Sequence, residues 1–317
     1  MKLVTKILLI GLCTVSGLAN AGEFGNYCTT SLAAGLFTKS DCSNNSIVEN
    51  KTYCFGNAES KKSFDSSSNK EEIIKKAAAF YSNNNDQIRE KISQEQAMEI
   101  IKSKECNLTN KDLGYLKFEK MDLSHCTMEN VSLFGTDLRN ANLKGVNLKN
   151  SYLNLARLEN ANLSQTDLSD AVIFQAIFDK TNFENANLTN ARMIGTLGAV
   201  NMAGAKITNG RFGLDMGNQP MGQMKFDSIG GNFENANFEN ADLNIASFLF
   251  GNLKGANLKN TNLFRAELSK ADLTGADLTG ANLTDAIVDG AIMKDVKGLE
   301  SVKGWNTVKG KCEYCTQ

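Results

Sequence analysis

Proline is almost missing from this chain: Pro220 is the only one among 317 residues, and His125 is the only histidine. So little proline beside so many Asn-containing pairs departs from ordinary globular composition and points to repetition. An excess of charge is missing too, with 34 basic against 35 acidic residues. That balance argues against a general nucleic-acid binder and against a strongly acidic tail. The apolar stretch at 7–12 falls far short of the about 20 residues that a transmembrane helix needs. No nucleophile motif, paired-acid constellation or phosphate-cradling glycine loop appears. No residue therefore fills a catalytic role, and neither enzyme nor cofactor is expected. The length exceeds one average domain and by itself would allow two.

What the chain does have begins with a leader. Lys2 and Lys6, the apolar stretch 7–12 and the small-x-small site Ala19-Asn20-Ala21 read as a secretory signal cleaved after Ala21. A lipoprotein reading would use Cys13, but Leu12 precedes it where a small residue is expected. The mature protein is therefore expected in the periplasm or outside the cell, where disulfides are possible. It keeps Cys28, Cys42, Cys54, Cys106, Cys126, Cys312 and Cys315, an odd set that leaves one thiol over or pairs it between chains.

From Cys106 an apolar residue recurs at every fifth position, from Leu108, Leu113 and Phe118 through Leu188 to Met193, and again from Phe233 to Met293. Two residues before it stands a small side chain, as in Ala271-Asp272-Leu273 and Ala276-Asp277-Leu278; the first repeats are looser, with Lys111, Leu116 and Met121 there. No helical or heptad pattern has a period of five. Residues i−2 and i point to the same side of an extended segment. A turn must then bring the next pair inward and leave the other three positions outside. The many Asn and Asp residues follow from turn geometry, because their side chains bond neighbouring backbone.

Ala141-Asn142-Leu143, Ala161-Asn162-Leu163, Ala256-Asn257-Leu258 and Ala281-Asn282-Leu283 match the pattern A-(D/N)-L-x-x, and the segment 106–295 resembles the pentapeptide-repeat family. The resemblance implies an all-β fold, a right-handed quadrilateral parallel β-helix with four repeats per coil, whose open ends need caps. Two irregularities interrupt it. The step from Met193 to Leu197 is four residues, read as a bulge or corner loop. The stretch 213–230, with Pro220, Met216, Met221 and Met224, loses the repeat and reads as an inserted loop, either packed on the rod or used in recognition. The family's gyrase-protecting members also carry loops that matter.

Upstream, 22–105 reads as a small α-rich N-terminal module with a helical cap. Helical composition runs over 70–104 with a break at Asn83-Asn84-Asn85-Asp86, and the second helix is expected to cap the first coil. Before it, Lys51-Thr52-Tyr53-Cys54-Phe55 reads as a strand and 58–64 as a helix. With Tyr53, Phe55 and Phe64 this stretch resembles the small YHS domain, but the second cysteine of its metal-binding type is absent near Lys62, so no metal is expected. The segment 296–317 reads as a C-terminal cap or tail.

Cys28, Cys42 and Cys54 are expected to supply one bridge, with the pairing left open. Cys312-Glu313-Tyr314-Cys315 reads as a tail disulfide or a clip to the N-terminal module, since a zinc site would need two further ligands. Cys106 and Cys126 lie one 20-residue coil apart in inward positions. Their Cα atoms should be about 4.8 Å apart, but parallel side chains favour two buried, reduced thiols. His125 points outward, with no cysteine or carboxylate expected around it.

One side of the coil is unlike the others. Centred on Leu113, Leu133, Leu153, Ile173 and Met193, it carries Tyr115, Phe134, Tyr152, Leu155, Val172, Phe174 and Ile194 outward, whereas the other three sides of this block add only Ile177. Ile245, Leu249, Phe250 and Phe264 cluster at another corner. If the slip and the loop rephase the coil, Leu249 and Phe250 fall on the same side as Phe134. Such a strip marks an interface or is covered by the chain's own helices, loop or tail. The reading is an exported, non-catalytic scaffold that presents a protein-binding surface to an unidentified protein or a second copy. The alternatives are a DNA mimic acting on a topoisomerase, as in the family's cytoplasmic gyrase-binding members, and a metal- or redox-handling N-terminal module carried on a rod.

Overall fold

The computed structural model describes residues 28–34, 40, 42–49, 51–83, 89–213 and 225–315. The signal sequence and the centre of the 213–230 loop, with Pro220 and its methionines, lie outside the described residues. Chain contacts divide the protein into two compact units, 1–87 and 88–317.

The first unit holds α1 (Thr29–Ala33), an antiparallel hairpin of β1 (Asn44–Val48) and β2 (Lys51–Phe55), α2 (Ala58–Asp65) and α3 (Lys70–Asn83). It thus mixes a hairpin with helices. Asn57 starts α2 by accepting the Ser60 N–H at its side chain, 2.8 Å away, the usual way to satisfy an orphan donor at a helix start. Its core is aromatic: the fully buried Phe55 and Phe64 have ring centroids 4.9 Å apart, and Tyr53 packs 6.5 Å from Phe64.

The second unit opens with β3 (Glu90–Lys91) and α4 (Gln94–Lys102). The helix expected to cap the coil is α4, and it belongs to this unit. Ser93 and Gln96 form a reciprocal capping box at its start. Its buried Ala97 and Ile101 join the coil's core, while Gln94 bonds both the N–H and the carbonyl of Lys117. β3 pairs in parallel with β4 (Lys111–Asp112), so the first edge of the coil is covered rather than open.

Beyond this cap the chain winds as a coil with four five-residue sides. Parallel bridges join residues twenty apart, as in Asn142↔Asn162↔Asn182 and Asp137↔Arg157↔Ile177. Every fifth apolar residue from Leu108 to Met193 is fully buried. Where Thr replaces the small inward residue, its hydroxyl donates to the previous coil, for instance Thr136 to the Leu113 carbonyl at 2.9 Å and Thr181 to the Leu158 carbonyl at 2.7 Å. Asparagine serves twice. Before the buried residue it forms ladders, Asn201 Nδ2 donating to Asn182 Oδ1 and Asn232 Nδ2 to Asn201 Oδ1, each at 3.0 Å. Two residues after it, Asn turns the corner at positive φ, as at Asn140 (59°) and Asn160 (58°), a region that Asn tolerates better than most residues.

Both interruptions are absorbed without breaking the stack. At the slip, in β6 (Arg192–Thr196), which pairs in parallel with β5 (Val172–Phe174), partners move from twenty to nineteen apart (Asn182↔Asn201), and across the loop they are thirty-one apart (Asn201↔Asn232). The loop reading of 213–230 needs correction at its end. Residues 226–230 form a regular side of the coil that begins with β7 (Phe226–Asp227), paired with β6. Its sizes are reversed, with Phe226 in the small position and Ser228 in the large one, and both are fully buried. The C-terminal segment is a further turn of coil rather than a tail: Lys297, Lys303, Lys309 and Glu313 bridge to Asp277, Asn282, Ile287 and Ile292.

Candidate interaction surface

The seven strip residues of the first block come together. Ser132, Tyr152, Val172 and Arg192 form one bridge column, and the neighbouring outward positions carry Tyr115, Phe134, Leu155, Phe174 and Ile194. Tyr115 meets Phe134 edge-on at 5.3 Å, Phe134 stacks on Tyr152 at 6.1 Å, and the Arg192 guanidinium covers the Phe174 ring at 5.1 Å. Tyr115 remains 71% exposed and Leu155 43%, whereas Ile194 is buried at 6%.

Leu249 and Phe250 do not join this strip. The column through Arg192 continues as Arg211, Asp242 and Asn262, which brings Ile245 and Phe264 to the Phe134 side. Leu249 and Phe250 follow Phe248, whose neighbour Ser247 bridges Asp227 and Glu267, and Ser228 N–H donates to the Ser247 carbonyl. They lie on the adjacent side with Ile229, where Lys270 covers the Phe250 ring at 5.8 Å.

The backbone adds a signal that hydropathy alone does not carry. Tyr115 (φ 63°), Leu155 (59°), Ile245 (53°) and Phe250 (58°) occupy the left-handed corner position. Elsewhere that position holds mostly Asn, Asp, Gly or an unbranched polar chain. A large apolar side chain there, β-branched in Ile245, costs stability and gains little burial at Tyr115, Leu155 or Phe250, all exposed. Leu155→Asn is therefore expected to stabilise the coil by about 1 kcal/mol, read as a higher urea midpoint. A lower midpoint would show that Leu155 contributes packing instead.

Some acidic groups of the coil are paired with a cation where they stand. Arg139 holds the Asp137 carboxyl below the usual carboxylate range through a side-chain hydrogen bond. Lys254 and Lys259 pair with Asp272 and Asp277, each at 3.2 Å. Burial raises both of these carboxyls, but bonds from Thr274 or Thr279 and the lysine outweigh it and leave them lowered.

Cys42 pairs with Cys54 (Cα–Cα 4.7 Å), and Cys312 pairs with Cys315 rather than with the N-terminal unit. Cys28 is buried, its Sγ 3.2 Å from Thr30 Oγ1. The expectation of reduced thiols at Cys106 and Cys126 is corrected: they form a disulfide with Cα atoms 4.6 Å apart. Parallel side chains would require one backbone conformation at both cysteines, but Cys106 adopts a positive φ of 30°, where Cys126 does not. His125 is corrected as well, because its Nε2 lies 3.9 Å from Cys126 Sγ and 3.1 Å from the Ile101 carbonyl. Among the described residues no helix is long and apolar enough to cross a membrane.

The family model for pentapeptide repeats matches residues 132–170, 166–196, 229–260 and 256–295. No curated protein matches the chain. Solved structures that align include HetL of the cyanobacterium Nostoc sp. strain PCC 7120, a pentapeptide repeat protein involved in heterocyst differentiation regulation. It is 24% identical, covers 70% of this chain and 94% of its own, and has a TM-score of 0.42. QnrB1, a plasmid-mediated fluoroquinolone resistance protein, is 17% identical over 64% of this chain and 89% of its own, with a TM-score of 0.32. A pentapeptide repeat protein of the Arabidopsis thaliana thylakoid lumen is 21% identical over 41% and 74%, with a TM-score of 0.22.

Proposed function

The chain belongs to the pentapeptide-repeat family through this coil, and from that premise we propose that it is an exported, right-handed scaffold whose Tyr115–Ile194 side binds another protein. One observation carries the reading: the exposed Tyr115 and Leu155 stand on this side of the coil at corners where their backbone conformation is unfavourable. Local strain kept without a packing return is expected at functional surfaces, and a clustered apolar patch favours protein association. The leader expected from the sequence at 1–21 and the three disulfides support an oxidising compartment. The near balance of 34 basic against 35 acidic residues, with Asp137, Asp272 and Asp277 each paired with Arg or Lys, gives little support to mimicry of DNA.

The test is the mass of the mature protein by size-exclusion chromatography with light scattering, alone and with periplasmic extract, beside Phe134→Asp and Phe174→Asp. The expected result is a complex, a second copy or a heterologous partner, which both substitutions dissociate while thermal unfolding stays unchanged. A monomer in every sample whose unfolding temperature falls on substitution would instead place the strip beneath the chain's own segments.

A further inference from the structure

The only histidine of the chain stands beside one of its cysteine pairs, in the looser first turns of the coil. Cys106, His125 and Cys126 bring their three ligand atoms within 4.8 Å of one another. Both cysteines are buried and His125 is exposed, so the cluster has protein on one side and an open approach on the other. Nothing in the packing demands cysteine. The equivalent inward positions in later coils hold Val146, Thr166 and Ala186, all buried.

We propose that Cys106, Cys126 and His125 form a zinc site that becomes available when the disulfide is reduced. Two thiolates and an imidazole are a donor set for a thiophilic cation, and three protein ligands leave a fourth position for water. The spacing suits it. Cys126 Sγ and His125 Nε2 are 3.9 Å apart, against about 3.6 Å between S and N ligands of a tetrahedral zinc with ordinary bond lengths.

The chemistry balances with a dithiol as reductant. Two electrons and two protons pass from the dithiol to the Cys106–Cys126 bond, which breaks into two thiols while the reductant closes to its own disulfide. Zinc then displaces both thiol protons to solvent. His125 gives up its contact with the Ile101 carbonyl, carries its ring proton on Nδ1 and offers the Nε2 lone pair.

The test titrates zinc against a chromophoric chelator, using the full-length mature protein oxidised and after reduction. His125→Asn and Cys126→Ser are compared with Cys312→Ser and Cys42→Ser, which control for the other pairs. The expected result is one zinc per reduced chain and none per oxidised chain. His125→Asn should weaken it by more than about tenfold, the loss found when even supporting groups of zinc sites are removed, while the two control variants leave it unchanged. Cobalt in place of zinc should give a thiolate charge-transfer band that Cys126→Ser diminishes. His125 is exposed, so His125→Asn should unfold at the same temperature as the parent when oxidised. Failure of reduced protein to take zinc, or uptake that His125→Asn leaves intact and Cys312→Ser or Cys42→Ser removes, overturns the assignment.

Discussion

Phe248→Ala should lower the thermal unfolding temperature by roughly 10 °C, from about 3–5 kcal/mol lost when a buried phenylalanine is truncated. Leucine fills most large inward positions, but around the insertion the core turns aromatic. The Phe248 centroid lies 5.5 Å from Phe226, 5.1 Å from Phe233 and 5.9 Å from Phe238, and all four side chains are fully buried. Ser228, stacked under Phe248, cannot swell to fill the space, and the rungs above and below are fixed by backbone bonds such as Phe248 N–H to the Glu267 carbonyl at 2.8 Å. The cavity therefore stays open, which puts the cost at the high end. Circular dichroism on heating reads it. A shift below about 2 °C, worth under about 1 kcal/mol, would mean that these rings do not form one packed cluster.

Gly304→Ala should detach the last turn of coil, whereas Gly275→Ala should not, although the two glycines have nearly the same backbone. Gly304 has φ 72° and Gly275 φ 70°, so both substitutions bear the left-handed penalty of about 1–2 kcal/mol. Space separates them. A Cβ on Gly304 would stand 2.6 Å from Thr284 Cα, whereas one on Gly275 meets nothing within 4 Å. Backbone cannot yield as a flexible side chain can, so the turn at 298–304 must lift from the coil below. The readout is hydrogen exchange over 296–315, expected to accelerate strongly in Gly304→Ala and little in Gly275→Ala. Equal exchange in the two variants would show that the close approach to Thr284 is not what seats this turn.

The coil itself was legible in the sequence because its rule is steric: one large and one small residue inward in every five. The coil is not legible where that rule is kept in another form. Phe226 and Ser228 exchange sizes, so a regular side of the coil looked like loop. Val296-Lys297-Gly298, Val302-Lys303-Gly304 and Val308-Lys309-Gly310 repeat at six rather than five, and that spacing was the available signal for the last turn. The side on which Leu249 and Phe250 fall is not legible in the sequence, because the number of residues that leave the coil at the loop is not written in the pattern. The slip of one residue and the excursion of eleven displace the register by ten, two sides of the coil. The strip of the first block needed no such count: its seven residues lie along one side of the coil, although Ile194 is buried there rather than outward. The Cys106–Cys126 bond is not legible in the sequence because the positive φ at Cys106 has no sequence marker.

The most direct measurement places a photoreactive phenylalanine analogue at Tyr115 on the strip, and in parallel at Lys144, exposed on an all-polar side, in cells that export the protein. A protein-binding strip predicts one discrete covalent adduct with a second polypeptide from position 115 and none from position 144. Equal adducts from both positions, or a cross-link from 115 only into its own chain, would contradict it.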